Sequence, residues 1–314
     1  MTASSWPDAY RLAERLARDS AGSLRAVLLY GSRLHESNPD EHSALDFVAL
    51  VGGYRDFYSG LARSGELHRP ARLMTWLAGV LPPNVIAYAP EEGMAGLAKC
   101  QVLDKRHFAR ALGPEPPDHF VLARLVQEIG YVWFASDADR AWVEGQIETA
   151  HRGVIDWMRP FVEGSLDAER LGRRMLEVCY AAELRPESRS RSDRVFEAQA
   201  DHLVHALKPA LESGVERGFL RREGGAYALD EPVPDEERRK WRRHFRRSKI
   251  RATLRWFKHI LTFANWLPYI RRKVERHSGR SVQLTLLERK LPLIFLWPRV
   301  VQVLLTRPRD EVDR

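Results

Sequence analysis

Gly31-Ser32 and Asp46 are the residues of this chain whose types and spacing best suit chemistry. Residues 24–30 are a compact apolar run ending at Gly31-Ser32, which reads as a strand passing into a turn. Such a turn gathers backbone N–H groups and a hydroxyl at one point, and glycine lets a phosphate come close to the backbone. Residues 45–51 (LDFVALV) read as a second strand, with Asp46 near its start among apolar neighbours. A carboxylate facing a phosphate cradle calls for a divalent cation, because Mg²⁺ draws its oxygen ligands from carboxylate and phosphate together. That is the logic of nucleotidyl transfer: a metal-neutralised triphosphate is attacked in line at its α-phosphorus and pyrophosphate leaves. The usual pattern there is Asp-x-Asp on the second strand, and the first of those places is Ala44 here. The same residues also suit an ordinary turn and a solvated edge carboxylate.

The elements that must position these groups follow from periodicity. Residues 7–18 have apolar positions at helical spacing, and a helix starts near Tyr54 after the Gly52-Gly53 break. Residues 71–81 and 104–112 read as helices, and 85–88 and 97–103 as short strands. The first clear break is residues 113–117 (GPEPP). From 118 onward the pattern is helical, over 137–162, 166–182 and 194–213, interrupted by the Ser/Arg-rich stretch 185–193. Residues 219–229 read as a small hairpin turning at Gly224-Gly225, and residues 231–235 (EPVPD) form a second break. The expected bodies are residues 1–115, 116–235 and 236–314.

Charge is distributed unevenly. The chain has 314 residues and a net charge of +8, but residues 236–276 alone hold fifteen Arg or Lys against three Asp or Glu. Residues 277–314 add +3, so residues 1–235 are left at −7. This excludes a uniformly basic packing protein and assigns any anionic partner to the C-terminal part. Two cysteines, Cys100 and Cys179, make neither a disulfide framework nor a cysteine-based zinc site, so a reducing compartment is expected. The eleven histidines show no metal-ligand spacing. Residues 1–20 lack the apolar core of a secretory signal, and the apolar run 291–305 is too short and too broken to span a bilayer.

Several islands occur in order along the chain: Tyr30-Gly31-Ser32, then Leu45-Asp46-Phe47-Val48 with its single aspartate, then Leu97-Ala98-Lys99-Cys100-Gln101-Val102. Next come Phe120-Val121-Leu122-Ala123-Arg124-Leu125, Tyr180-Ala181-Ala182-Glu183-Leu184-Arg185 and the basic Ser248-Lys249-Ile250-Arg251. Together, in this order, they resemble one family, the mitochondrial-type phosphatidate cytidylyltransferases of translocator assembly and maintenance. Arg33 stands where the family has glycine, Glu183 where it has aspartate, and Asn84-Val85 where it has Gly-Val. The resemblance implies an α+β fold: a nucleotidyltransferase-type mixed sheet flanked by helices, a helical, winged-helix-like region, and a basic helical tail. It implies that CTP and phosphatidate, or another lipid phosphate, give CDP-diacylglycerol and pyrophosphate with Mg²⁺. In that scheme Asp46 and Glu183 are catalytic and bind the metal, and Gly31, Ser32, Lys99, Arg124, Tyr180 and Arg185 hold the nucleotide. It also implies a cytoplasmic protein lying peripherally on the inner face of a membrane.

The basic tract interleaves Arg and Lys with Trp241, Phe245, Trp256, Phe257 and Trp266, a mixture that suits nucleic acid or an anionic bilayer surface. The apolar run 291–305, flanked by Arg289, Lys290 and Arg307, favours the bilayer and reads as an interfacial anchor, with a buried helix as the alternative. Two other functions use the same residues: a toxin-like nucleotidyltransferase acting on RNA or protein, and a catalytically dead lipid- or nucleic-acid-binding protein.

Overall fold

The computed structural model describes residues 6–35, 44–67, 69–89, 97–181 and 190–262. The strands are β1 (Leu24–Tyr30), β2 (Leu45–Val51), β3 (Asn84–Tyr88), β4 (Ala98–Asp104) and β5 (Gly130–Phe134). They form one sheet in the order β3-β4-β2-β1-β5. β2 and β4 run parallel and the other neighbours antiparallel, so the sheet is mixed. The expected α+β class and helix-flanked mixed sheet are therefore present. β5 is not legible as a strand in the sequence: the mostly helical reading after residue 118 passes over it, and it is a short edge strand with intermediate exposure along most of its length.

The helices are α1 (Pro7–Asp19), α2 (Ser32–His35), α3 (Tyr54–Arg63), α4 (Ala71–Val80), α5 (Lys105–Leu112) and α6 (Leu122–Leu125). They continue as α7 (Asp137–Arg152), α8 (Val154–Met158), α9 (Ala168–Ala181), α10 (Ser190–Glu197), α11 (Ala200–Glu216) and α12 (Asp235–Thr262). A hairpin of β6 (Leu220–Glu223) and β7 (Ala226–Leu229) precedes α12. Local chemistry sets many boundaries. α1 starts with Pro7 and Asp8 and carries Arg18 in its last turn, in keeping with the helix dipole. Asp104 caps α5 by accepting from the His107 N–H, and Ser136 caps α7 by accepting from the Asp139 N–H. The expected helix 137–162 is instead α7, α8 and a 3-10 turn, broken at Gly153.

β1 and β2 are buried on both faces, which is why they read as continuous apolar runs. On one face Val27, Leu29, Phe47 and Val51 pack with Leu12 and Leu16 of α1 and with Phe57 and Leu61 of α3. On the other face Leu28, Val48 and Leu50 pack with Phe108, Leu125, Ile147, Leu171 and Leu207. This second cluster also takes in Trp241 of α12. One apolar core therefore crosses both expected boundaries, near 115 and 235. The chain divides instead after Thr262. The two Pro-rich breaks are turns within one body.

The largest departure from expectation is α12: its basic composition suggests a solvated helix, yet Trp241, Ser248, Arg255, Lys258 and Thr262 are buried. Asp118 is also buried and accepts from Arg251 at 2.7 Å and Arg255 at 2.8 Å. Arg255 donates further to the Pro82 carbonyl at 2.9 Å. Burial raises the Asp118 pKa, but the two guanidiniums outweigh it and hold the carboxyl below its ordinary range. Lys258 donates to the Leu81 carbonyl, to the Pro83 carbonyl at 2.8 Å and to Asn84 Oδ1 at 2.9 Å. Leu81 follows the last residue of α4, so the ammonium lies at the negative end of that helix dipole. The expected anchor at residues 291–305 lies outside the described residues.

Two predictions follow from this packing. Asp118→Asn leaves Arg255 buried without a counter-charge, and the expected loss is about 3–5 kcal/mol, read from urea denaturation. An unchanged midpoint would show that the pair does not hold the helix. The second concerns pH. Burial, with nearby Arg247, pushes His244 down to about 4, and burial pushes His151 down to about 4 against its bond to the Val126 carbonyl. His119 is lowered by burial and by His244, whose ring nitrogen lies 2.8 Å away. These rings are neutral when folded, whereas the unfolded chain takes protons below the ordinary histidine value of 6.5. Stability is thus fully present above about pH 6.5 and declines towards pH 4. The urea midpoint should be lower at pH 5 than at pH 7, and His151→Asn should reduce the difference.

Candidate active site

Antiparallel pairing brings the C-terminal end of β1 against the N-terminal end of β2, with Tyr30 opposite Asp46. Parallel pairing then sets Lys99 of β4 beside Asp46. Because strand side chains alternate, Tyr30, Asp46, Lys99 and Gln101 share the face covered by the helical layer. Asp46 and Lys99, two of the expected site residues, thus meet at one sheet end. Asp46 and Lys99 form an ion pair at 3.5 Å, with the two side chains 33% and 41% exposed. An ion pair this open contributes little stability. It leaves both groups available to a ligand.

Gly31 follows directly, in the left-handed region at φ +88°. A β-carbon there would lie 3.3 Å from Asp46 Oδ2, so the carboxylate rests against the glycine's bare face. Ser32 opens the single turn of α2 and is exposed. Gly31 is therefore required for backbone conformation and for close approach together.

Arg124, on α6, reaches the same edge. It donates to its own turn at Phe120 O and lies over the Phe120 ring at 3.9 Å. The buried Tyr30 hydroxyl takes hydrogen bonds from Arg124 and Gln101. Burial and then the Asp46 charge push the Tyr30 pKa up, so it stays a neutral hydroxyl. Arg255 lies over the same Phe120 ring at 4.4 Å. One aromatic ring therefore meets the guanidiniums of both α6 and α12, a favourable arrangement for cations held out of water.

Sequence reasoning gave no role to Tyr30, Gln101, Arg255 or His259. Gln101 could have been found, because it lies two residues after Lys99 on one strand and so faces the same side. His259 could not, since only the folded chain brings α12 to this edge. Burial, with the charges of Lys258, Arg255, Lys99 and Arg124, lowers the His259 pKa to about 2. Gln101 Oε1 and His259 Nε2 are buried polar atoms without a hydrogen-bond partner. Tyr180, in the last turn of α9, packs against the larger apolar cluster. Glu183 and Arg185 lie outside the described residues. Cys100 and Cys179 are buried, and burial raises the Cys100 thiol pKa, which unfits it as a nucleophile.

Among the described residues no three His, Cys, Asp or Glu side chains gather into a metal-binding group. Asp46 is a lone, partly exposed carboxylate beside cations. That donor set fits a hard cation that takes its remaining oxygens from a phosphate ligand and water. No protein-family model matches the chain, and no curated protein matches it significantly. No helix of the described residues is long and apolar enough to cross a membrane.

Gly31→Ala tests the close approach. The left-handed backbone costs a non-glycine residue about 1–2 kcal/mol, and the added carbon must displace the Asp46 carboxylate. A melting temperature lower by about 2–8 °C is expected in a thermal scan. A variant as stable as the parent would show that this turn is not constrained as described.

Proposed function

We propose that the chain is a nucleotidyltransferase that moves CMP from CTP to phosphatidate or a related lipid phosphate. On this reading the five-stranded sheet is a nucleotidyltransferase-type core, and α9–α11 with the β6–β7 hairpin form a winged-helix-like region. The observation that carries the reading is the bare backbone of Gly31 against the Asp46 carboxylate, with Lys99 at 3.5 Å, at the adjoining ends of β1, β2 and β4. A glycine turn, one carboxylate and one lysine at a single edge suit a triphosphate better than a neutral ligand.

The roles follow from charge. Asp46 would hold Mg²⁺, joined by Glu183 if that residue reaches the site; bound there, the ion would neutralise the triphosphate. With Asp46 so engaged, Lys99 would leave its ion pair and its ammonium would meet a phosphate oxygen as a point charge. Gly31 N–H and the Ser32 hydroxyl would donate to the same anion. Arg124, fixed over Phe120, places a planar guanidinium for phosphate oxygens. The acceptor is a phosphate already ionised near neutral pH, so the demands on the protein are alignment and charge neutralisation. An acceptor oxygen forms its bond to the α-phosphorus as the bond to pyrophosphate breaks, and no strong base is needed.

Purified protein should release pyrophosphate from CTP in the presence of Mg²⁺ and phosphatidate, with CMP appearing in the lipid. Asp46→Ala should reduce release by at least about a hundredfold, the scale of losing one charge-stabilising group. Equal release from that variant would overturn the role of Asp46. Release with RNA or a protein acceptor and none with any lipid phosphate would overturn the substrate.

A further inference from the structure

α12 is built inside out. Over its second half the inward positions are Ser248, Arg255, Lys258 and Thr262, all buried and all hydrogen-bonded. The outward positions are Ile250, Leu254, Phe257 and Leu261, at spacings of four, three and four, which make one stripe along the helix. Each is about half exposed, from 48% at Leu261 to 56% at Ile250, and Trp256 flanks them at 47%. A surface helix ordinarily shows the opposite arrangement.

α4 repeats the pattern. Met74, Leu77 and Ala78 are buried, while Leu73, Trp76 and Val80 face solvent on one stripe, Trp76 at 63%. The two helices are neighbours: Lys258 donates to the Leu77 and Leu81 carbonyls, and Arg69 Nε donates to the Leu261 carbonyl at 3.2 Å. Every large apolar side chain classed as exposed among the described residues lies on α4 or α12. Scattered exposed apolar residues are ordinary, but this concentration marks an interaction surface.

Charge identifies the partner. From 238 to 262 the sequence has eleven Arg or Lys and no Asp or Glu. Arg242, Arg243, Arg246, Arg247 and Lys249 are exposed just before the apolar stripe, and exposed Arg72 precedes Leu73. A second copy of the chain meeting this face symmetrically would oppose one arginine row to another. Nucleic acid would engage the arginines but gain little from Ile250, Leu254 and Val80. Basic residues beside aliphatic and tryptophan side chains match an anionic lipid surface, with headgroups for the cations and an acyl boundary for the rest.

We infer that the α4–α12 face docks the protein on an anionic bilayer, with Trp76, Leu254 and Phe257 entering the interface. This deepens the lipid-phosphate reading above and rests on it for the purpose of docking, while the surface stands on its own observations. The test uses the full chain in flotation with vesicles of phosphatidylcholine and phosphatidylglycerol in equal parts, and with phosphatidylcholine alone. Binding is expected to the mixed vesicles and to weaken as salt rises. Leu254→Glu with Phe257→Glu, and separately Trp76→Glu, should weaken it at least about tenfold with an unchanged circular dichroism melt. Both variants should still transfer CMP to a water-soluble short-chain phosphatidate.

Undiminished flotation of both variants overturns the proposal. Loss of flotation on deleting residues 290–314, with the two variants binding normally, would move the contact to the tail and also overturn it. So would a concentration-dependent dimer of the parent that the variants abolish without any vesicle binding, or RNA binding in place of vesicle binding. Normal docking without CMP transfer sinks the enzymatic reading and leaves this surface standing. Transfer to the soluble acceptor without docking does the reverse.

Discussion

A guanidinium shut away from solvent has to be matched where it lies. Arg255 is fully buried, and its partner Asp118 sits in the segment leading to α6, far from it in sequence. Each would be costly to bury alone. Together, with Arg251 and the Pro82 carbonyl, they set where α12 crosses the body. Lys258 and Thr262 then continue the attachment along β3, through Pro83, Asn84 and Val85. The position of the last helix, the cations it brings to the sheet edge and the face it turns outward all depend on that match.

The central strands were legible because their composition admits little else. A strand buried on both faces must be apolar throughout, and residues 24–30 and 45–51 are nearly so. β5 is shorter, lies at the edge and is followed by strong helical periodicity, so its local signal was lost. The Pro-rich stretches resembled domain boundaries, but local composition cannot distinguish a linker from a turn across which a core continues. α12 misled for a deeper reason. Eleven basic residues in one tract suggest a solvated helix, and the carboxylate that draws Arg251 and Arg255 inward lies more than a hundred positions earlier.

The site was legible in the same measure. Gly31, Asp46 and Lys99 come together because strand pairing follows from strands that can be read. Arg124 reaches them through Tyr30, which sequence reasoning noticed only as the neighbour of a glycine. His259 belongs to the tertiary structure alone. The Asp46 carboxylate, 33% exposed, has Lys99 at 3.5 Å, while Arg255, over the same Phe120 ring as Arg124, already has its counter-charge in Asp118.

Phe257 and His259 are two residues apart on α12, and a helix turns about 200° over that interval. Phe257 faces out, while His259 is turned towards the charges of Lys99 and Arg124. The helix is therefore the wall between the two surfaces, and its thickness of about 10 Å fixes their separation. On the lipid-phosphate proposal, an acceptor docked on the outer side would have to rise by about that height for its phosphate to reach the edge of the sheet, with its acyl chains still in the bilayer.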